Sequence, residues 1–308
     1  MQEEIEPAPT VRPRVLKAIP ETRDRWQGRL LVLLVAASIS ACIVFGFLAT
    51  GEQGGRYKVA GASLALAIIA AGMRSATIIG AVCGALACFC MTWWTRDLET
   101  PLQHSTLPAL VALVVFTFLA TRAGRKQKQV LGLAEQQGGR TAAQVLANLG
   151  VAALVVTPLG AYAGDFAGLS LPVAPLLLAA ASLAALAEAT ADTVSSEIGQ
   201  AFGTRTYLLT NLRRVHRGTD GGVSAQGTTV GLLAALVVVL IGGWALRLTP
   251  ELEALAFSAG LIGFAADSLL GATIERRGWI GNNLVNFLST AVAAFSVLLM
   301  ARFTSASH

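Results

Sequence analysis

Long runs of apolar, almost uncharged residues recur along this chain and limit what it can fold into. Most are about 20 residues long, which matches the thickness of the hydrocarbon core of a bilayer. Nine stretches can be marked, at 30–50, 58–73, 75–95, 105–121, 142–163, 172–200, 226–246, 251–275 and 280–301. Their apolar residues are continuous and do not alternate with period two, which disfavours a β-barrel. The sequence therefore predicts an all-α, polytopic helical membrane protein with about nine transmembrane helices.

The composition excludes several other classes of protein. Only 13% of the residues are charged and 54% are hydrophobic, with a mean hydropathy of +0.63. A soluble domain carries roughly a quarter charged residues, and a disordered chain has a lower share of apolar residues than this chain has. The four cysteines lie within apolar stretches and show no metal-ligand spacing, so they read as small buried hydrophobic residues. The basic residues are spread over loops, so no nucleic-acid partner is expected.

The placement of cations predicts the topology. With the N-terminus inside, 18 of the 23 Lys and Arg residues fall on inner segments. Because cationic loops resist translocation, this asymmetry predicts an N-terminus in the cytoplasm and a C-terminus outside. Residues 1–29 lack the basic start of a signal peptide and are interpreted as a flexible cytoplasmic tail, followed by N-terminal transmembrane helices over 30–121. The expected location is the inner membrane of a prokaryote.

Four acidic residues lie inside the predicted spans, where an unpaired charge costs several kcal/mol. They are Glu188, Asp192, Glu197 and Asp267. Glu188 and Asp192 are one helical turn apart and share a face, whereas Glu197 lies about 140° from Asp192 on an ideal helix. Glu197 would join the others only if the helix ends or bends near 195–196. These acids are functional candidates, or they neutralise arginines at the inner ends of neighbouring helices.

Neutral polar groups cluster at the same predicted depth. They are Gln144 and Asn148, with Arg140, at the start of span five, and Asn282, Asn283 and Asn286 at the start of span nine. Within each group, residues four apart share one helix face. Amides near helix ends can also cap helices or link them by hydrogen bonds. All of these clusters are predicted on the inner side of the membrane.

The connector between spans six and seven, residues 213–231, combines arginines with glycines. Its candidate phosphate-binding residues are Arg213, Arg214, Arg217, Gly218, Gly221, Gly222, Ser224, Gly227 and Thr228. Glycines let backbone N–H groups face an anion, a helix N-terminus adds a favourable dipole, and arginines bind phosphate. The alternative is a flexible cationic connector. The segment is not a P-loop, because no Gly-Lys-Ser/Thr follows the glycines.

Together these groups favour phosphate chemistry on a lipid-borne substrate. Carboxylates beside cations suit Mg²⁺ held against phosphates, since the acids bind the metal and the arginines bind the phosphate oxygens. A phosphorylated isoprenoid would leave its tail in the bilayer and present its phosphate at this depth.

Five segments carry a resemblance to a known family. QVLAN, ADTVSSEIG, GTDGGVSAQGT, DSLLGATIE and NNLVNFLST, in this order, resemble the integral membrane family that includes transmembrane protein 19 and the plant phytyl-phosphate kinase. The resemblance spans about residues 120–300 and defines a family core over 122–302. It implies phosphoryl transfer from a nucleoside triphosphate, CTP above all, to phytyl or geranylgeranyl phosphate.

Most of the candidate residues lie at positions that match the family. They are Arg140, Gln144, Asn148, Asp192, Glu197, Gly218, Gly221, Gly222, Ser224, Gly227, Thr228, Asp267, Ser268, Asn282, Asn283 and Asn286. The chain departs from the family at Leu149, where glycine is common, and at Glu275, where glutamine is common. The first departure bears on helix packing near Asn148, and the second adds a charge.

We assign roles to these residues from their chemistry. Asp192, Glu197 and Asp267 are predicted as the catalytic carboxylates that hold Mg²⁺. The arginines, with the turn over 218–228, are predicted to bind the phosphates, and the asparagines to orient them. Two alternatives stay open: a CTP-dependent lipid-alcohol kinase or cytidylyltransferase, and a small-molecule or lipid transporter, whose acids would bind protons or Na⁺. The sequence does not predict an oligomeric state.

Overall fold

The computed structural model describes residues 19–50, 55–97, 99–133, 139–166 and 175–305. Most of the predicted tail lies outside these residues. Its last part is helical rather than a tail, because α1 (Glu21–Thr50) begins nine residues before the predicted span. Glu21 and Asp24 in its first turn favour this start through the helix dipole. The Gln27 amide also donates to the Trp279 carbonyl at 2.9 Å, which fixes this turn to the rest of the protein.

The described residues form a bundle of helices, which confirms the predicted class of polytopic helical membrane protein. After α1 come α2 (Arg56–Gly72), α3 (Ile78–Thr95), α4 (Leu107–Arg122), α5 (Arg125–Val130), α6 (Ala142–Val155), α7 (Pro158–Phe166), α8 (Pro175–Phe202), α9 (Ala225–Leu246), α10 (Pro250–Leu270) and α11 (Asn282–Ser305). Six of the described helices are long and apolar enough to cross a membrane. Helices α2, α4 and α6 are shorter, at 17, 16 and 14 residues. The count of nine spans stays a prediction.

The fifth predicted span is not one continuous helix. Helix α6 ends at Val155 and α7 begins at Pro158. Proline has no N–H to continue the hydrogen-bond ladder, and its ring clashes with the preceding turn. The Thr157 hydroxyl bonds to backbone groups on both sides of the break. It donates to the Leu154 carbonyl at 2.6 Å and accepts from the Leu159 N–H at 3.2 Å.

Helix α8 is the centre of the bundle and packs against α4, α6, α9, α10 and α11. From Leu178 to Ala191 every residue is buried, and most are alanines. Small side chains let helix backbones approach closely within a membrane. Helix α9 approaches α8 closely, since a Cβ built on Gly231 would lie 2.6 Å from the Ala191 carbonyl oxygen.

We expect Gly231→Ala to destabilise the protein, because the new methyl group would meet backbone that cannot move aside. Overpacking of this kind costs about 1–3 kcal/mol in the free energy of unfolding. Reversible unfolding in detergent measures the change. The matched control is Gly61→Ala on α2, where no atom lies within 4 Å of the new Cβ. Equal stability of the two variants would contradict the close contact between α8 and α9.

The helix ends gather at two opposite faces of the bundle. At one end, Arg122 donates to the Met73 carbonyl at 3.4 Å, and Ala76 forms a β-bridge with Arg140. At the other end, Arg247 pairs with Asp97 at 3.4 Å. We call the first the arginine-rich end. It holds the ends of α2, α4, α8 and α10 and the starts of α1, α3, α6, α9 and α11.

The connector between α8 and α9 forms a small sheet at the arginine-rich end. Strands β1 (Thr206–Leu208), β2 (Arg214–Val215) and β3 (Gly222–Ser224) pair antiparallel in the order β2-β1-β3. A π-helical turn, Gly271–Glu275, follows α10 nearby. Such turns break the regular helical hydrogen bonding and occur often at functional sites.

Candidate functional site

Two predicted carboxylates meet inside the bundle. Asp192 of α8 and Asp267 of α10 are close enough to hydrogen-bond when one of them is protonated. The Asn286 amide of α11 donates to Asp192 Oδ2 at 3.3 Å and to Asn148 Oδ1 of α6 at 3.4 Å. Four helices thus contribute one side chain each. We call Asn148, Asp192, Asp267 and Asn286 the acid–amide cluster.

Two oxygens in this cluster, Asp267 Oδ1 and Asn286 Oδ1, have no hydrogen-bond partner among the described residues. Asp267 Oδ1 is buried and makes no hydrogen bond to any described residue. A buried polar atom normally has a hydrogen-bond partner, because desolvation without one costs free energy. An orphaned carboxylate oxygen beside a second carboxylate therefore points to a cation as its partner.

Glu188 lies one turn from Asp192 and deeper in α8. Its side chain is 1% exposed, and neither carboxylate oxygen has a hydrogen-bond partner among the described residues. The Ser289 hydroxyl is nearby, but it donates to the Asn286 carbonyl at 3.0 Å. Glu188 is thus a buried acid below the acid–amide cluster.

Glu197 does not join the cluster, which corrects the predicted set of three catalytic and metal-binding carboxylates. Helix α8 continues to Phe202, so the bend that would have turned Glu197 inward does not occur. Its carboxylate instead forms an ion pair with Lys128. The Lys128 ammonium also donates to the carbonyls of Ala120 at 3.2 Å and Thr121 at 2.8 Å. In the described part of the chain, no three His, Cys, Asp or Glu side chains are placed to hold a metal ion together.

The two remaining carboxylates still fit Mg²⁺. This ion is usually held by one or two protein carboxylates, with water and substrate phosphates completing its octahedral shell. Asp192 and Asp267 supply these two carboxylates, and the orphaned Oδ1 of Asp267 is free to bind the ion.

Among the predicted cations, Arg140 is the one whose charge acts on Asp192, and the charge of Glu197 acts on Asp192 as well. Two backbone hydrogen bonds fix the position of Arg140, from Thr77 N to the Arg140 carbonyl at 3.0 Å and from Arg140 N to the Ser75 carbonyl at 2.9 Å. The side chain of Gln144, one turn further, accepts from Thr141 N at 2.8 Å and closes a capping box at the start of α6.

The glycine-rich connector reaches the same region from the other side. Gly218 and Gly221 have positive φ angles of 78° and 68°. Gly221 lies directly on the π-helical turn, because a Cβ there would be 2.1 Å from the Ala272 nitrogen. This turn begins four residues after Asp267. The connector therefore packs against the turn that follows α10.

Three connector residues have structural roles that differ from the predicted phosphate binding. The Ser224 hydroxyl caps α9 by accepting from Gly227 N at 3.2 Å, so this donor and acceptor satisfy each other. A Cβ on Gly227 would lie 2.3 Å from the Ser195 carbonyl oxygen, which shows a packing role against α8. Gly222 belongs to β3 and packs on Thr206, whose Cγ2 would be 2.9 Å from an added Cβ.

The other predicted residues lie around the periphery. Arg213 and Arg214 are exposed on the β2 hairpin, and no described contact joins them to the acid–amide cluster. Arg217 is half-buried and donates to the Ala201 carbonyl at 3.3 Å. Thr228 is half-buried in the first turn of α9, and Asn282 is exposed at the start of α11. Asn283 faces α1, with its amide nitrogen 3.7 Å from an ideal Cβ on Gly28.

Sequence reasoning missed a cavity of about 380 Å³ between α2, α3, α4 and α6. Five cations line its mouth at the arginine-rich end: Arg74, Arg122, Arg125, Lys128 and Arg140. Its deeper wall is mainly apolar, and Asn148 joins it to the acid–amide cluster. No motif marks the other four cations. In the sequence, Arg74, Arg122, Arg125 and Lys128 look like ordinary basic residues of cytoplasmic loops.

Comparison with known proteins places this architecture among integral membrane proteins. The sequence model of the family described as "Integral membrane protein DUF92" matches residues 61–294. The chain is 30% identical to protein VTE6, chloroplastic, of Arabidopsis thaliana over 63% of its own length and 58% of that protein. It is 32% identical to an uncharacterized membrane protein of Synechocystis, over 56% of this chain and 65% of the relative.

A third relative, an uncharacterized membrane protein of Methanocaldococcus jannaschii, is 35% identical over 38% of this chain and 49% of its own length. The chain thus covers less than two thirds of each of these three relatives. No solved structure matches it.

Proposed function

Because this chain belongs to the DUF92 family of integral membrane proteins, we propose that it is a membrane-bound kinase for isoprenoid monophosphates. The observation that carries the proposal is the half-buried Asp192–Asp267 pair, whose Asp267 Oδ1 is orphaned, within electrostatic reach of Arg140 and close to a cation-lined apolar cavity. The resemblance noted from the sequence supports phytyl or geranylgeranyl phosphate as the acceptor and CTP as the donor.

The reaction is a transfer between two anions. An oxygen of the acceptor phosphate attacks the γ-phosphorus of the nucleotide. The bond from that phosphorus to the β–γ bridging oxygen breaks, and the nucleoside diphosphate leaves with the oxygen and its electron pair. The product is the isoprenoid diphosphate. The acceptor phosphate is ionised near neutral pH, so the enzyme needs no general base, and its task is to position and neutralise charge.

The residues of the acid–amide cluster and Arg140 have separate roles in this reaction. Asp192 and Asp267 would hold Mg²⁺, which when bound neutralises charge on the transferred group. Arg140 would bind the acceptor phosphate, since arginine binds phosphate oxygens in a bidentate manner. Asn286 orients Asp192 and Asn148 through the hydrogen bonds described above.

The donor nucleotide is assigned to the connector side. Gly218 and Gly221 turn the backbone next to the end of α10, and Arg217 lies at the end of α8. This surface and the cation-lined cavity flank the carboxylate pair from two directions. Such an arrangement would bring donor and acceptor phosphates together at Asp192 and Asp267.

The proposed location is the inner membrane of a prokaryote, with the arginine-rich end in the cytoplasm. Cationic segments are retained on the cytoplasmic side of a membrane, and a cytoplasmic site has access to nucleotides.

We expect the purified protein to form a diphosphate from CTP and geranylgeranyl or phytyl monophosphate when Mg²⁺ is present. Product analysis by mass spectrometry, with a panel of prenyl alcohols and monophosphates, measures the reaction. Addition of EDTA should abolish turnover. Turnover of alcohols but not monophosphates would replace this proposal with a lipid-alcohol kinase, and release of pyrophosphate with a cytidylated product would replace it with a cytidylyltransferase.

One observation favours a second candidate function, an ion-coupled transporter. Glu188 is a buried acid whose two carboxylate oxygens have no hydrogen-bond partner among the described residues, and intramembrane acids of this kind bind protons or Na⁺ in transporters. Proteoliposomes with an imposed proton or Na⁺ gradient test it. Gradient-driven uptake together with no nucleotide consumption for any acceptor would favour transport over the kinase.

A further inference from the structure

The cavity between α2, α3, α4 and α6 has two chemically distinct ends. On α4 its lining extends from Leu110 to Arg122, which at 1.5 Å per residue is roughly 18 Å. Cations surround the mouth, whereas the deep end is formed by groups such as Leu66, Cys88 and Leu110. None of the described residues that line the cavity is acidic. This polarity matches an anionic head on a long apolar tail.

The cations at the mouth are held in place by the fold. Arg74 has a positive φ of 54°, a conformation that costs free energy in a residue other than glycine. This turn leads from α2 into the bridge between Ala76 and Arg140, so Arg74 and Arg140 lie on adjoining backbone segments. Arg122 is fixed across the mouth, with its guanidinium 3.6 Å from the centre of the Phe118 ring.

The cavity also has a route from the bilayer. Helix α4 packs on α8 and α9, and α2 packs on α3, but at most isolated contacts join α4 to α2 or α6. The outward faces of α2 and α4 are apolar, with exposed Ile68, Ile69 and Val115. A tail already dissolved in the membrane could therefore enter between α2 and α4 without crossing water.

We infer that this cavity is the acceptor site, which binds an isoprenoid monophosphate with its tail between α2 and α4 and its phosphate among Arg74, Arg122 and Arg140. This inference rests on the proposed function and assigns the N-terminal helices the role of selecting the substrate. The phosphate would then lie beside Asn148 and next to the carboxylate pair. The depth of the cavity would set the length of tail that is accepted.

The test uses a photoreactive geranylgeranyl monophosphate with the full-length protein in detergent and without nucleotide. Crosslinks should map to the helices that line the cavity, α2, α3, α4 and α6. Gly84→Leu should weaken binding at least tenfold, because Gly84 lines the cavity and the nearest atom to a new Cβ is Val145 Cγ1 at 3.6 Å, so the side chain can fill the space without a backbone clash. The matched control is Gly61→Leu, where no atom lies within 4 Å.

The arginines are tested separately from the tail. Arg122→Gln and Arg74→Gln should each weaken binding of the monophosphate several-fold while leaving the weaker binding of geranylgeraniol unchanged. Lys58→Gln, at the opposite end of α2, should change neither. Dimethylallyl monophosphate, with its short tail, should bind Gly84→Leu as well as it binds the unaltered protein.

The outcomes separate this inference from the proposed function. Crosslinks outside α2, α3, α4 and α6, or unchanged binding in Gly84→Leu, would overturn the acceptor site even if diphosphate is still formed. Binding that follows the expected pattern in a protein that consumes no nucleotide would support the site and overturn the kinase.

Discussion

Asp192→Asn is expected to abolish phosphoryl transfer while the protein stays folded in the membrane. The substitution keeps the shape of the side chain and an oxygen that can accept from Asn286, but it removes the negative charge that would hold Mg²⁺ beside Asp267. Loss of a preorganised charge at the reacting group lowers kcat on the order of 10³-fold. The measurement is kcat with CTP and geranylgeranyl monophosphate, accompanied by Mn²⁺ binding followed by electron paramagnetic resonance.

The control for this experiment is Asp97→Asn, because Asp97 lies at the opposite end of the bundle and pairs with Arg247. It should retain both activity and Mn²⁺ binding. A fully active Asp192→Asn protein, or one that binds Mn²⁺ as tightly as the unaltered protein, would refute the metal role of this carboxylate.

Lys128→Met is expected to give the largest loss of stability among single substitutions of charged residues. The Lys128 side chain is 2% exposed and that of Glu197 is 13% exposed, so removal of the lysine leaves a largely buried carboxylate without its cation. Such a loss costs about 3–5 kcal/mol in the free energy of unfolding. Two main-chain carbonyls, those of Ala120 and Thr121, lose their donor as well.

A double variant distinguishes the lost ion pair from lost packing. Lys128→Met combined with Glu197→Gln removes both charges and should recover most of the stability. Arg247→Gln is the comparison, since this arginine is 64% exposed in its pair with Asp97 and such pairs contribute less than about 1 kcal/mol. Reversible unfolding in detergent measures all three. A double variant no more stable than Lys128→Met would show that the pair itself contributes little.

The helices were predictable from the sequence because a bilayer requires each span to be a long run of apolar residues. A run of about 20 apolar residues has few alternatives to a helix in a hydrocarbon core. Where prediction failed, a local rule overrode that signal: Pro158 breaks the fifth stretch, and the turns around Glu21 extend the first. The strands β1–β3 carry no periodic pattern, since each is only two or three residues long.

The site was only partly predictable, for a geometric reason. Helical spacing places Asp192 on a known face of α8, but the rotation of that face toward α10 and α11 depends on packing among several helices. Glu197 shows the limit, since its partner Lys128 lies 69 residues away in a polar segment that resembles any cytoplasmic loop. Likewise, Arg74 and Arg122 can be recognised as candidate site residues only when the structure shows that α2 and α4 line the same cavity.

The short length of α2 and α4 has a consequence for the surrounding lipid. At 17 and 16 residues they reach only about 24–26 Å, less than the roughly 30 Å of an average hydrocarbon core. Where α2 and α4 span the bilayer, as the sequence predicts, such a mismatch is relieved when the bilayer thins locally around them. The leaflet next to these helices would then dip toward the midplane, and lipid phosphates there would stand closer to the level of the buried acids. We therefore expect the activity of this protein to depend on the acyl-chain length of the surrounding lipid.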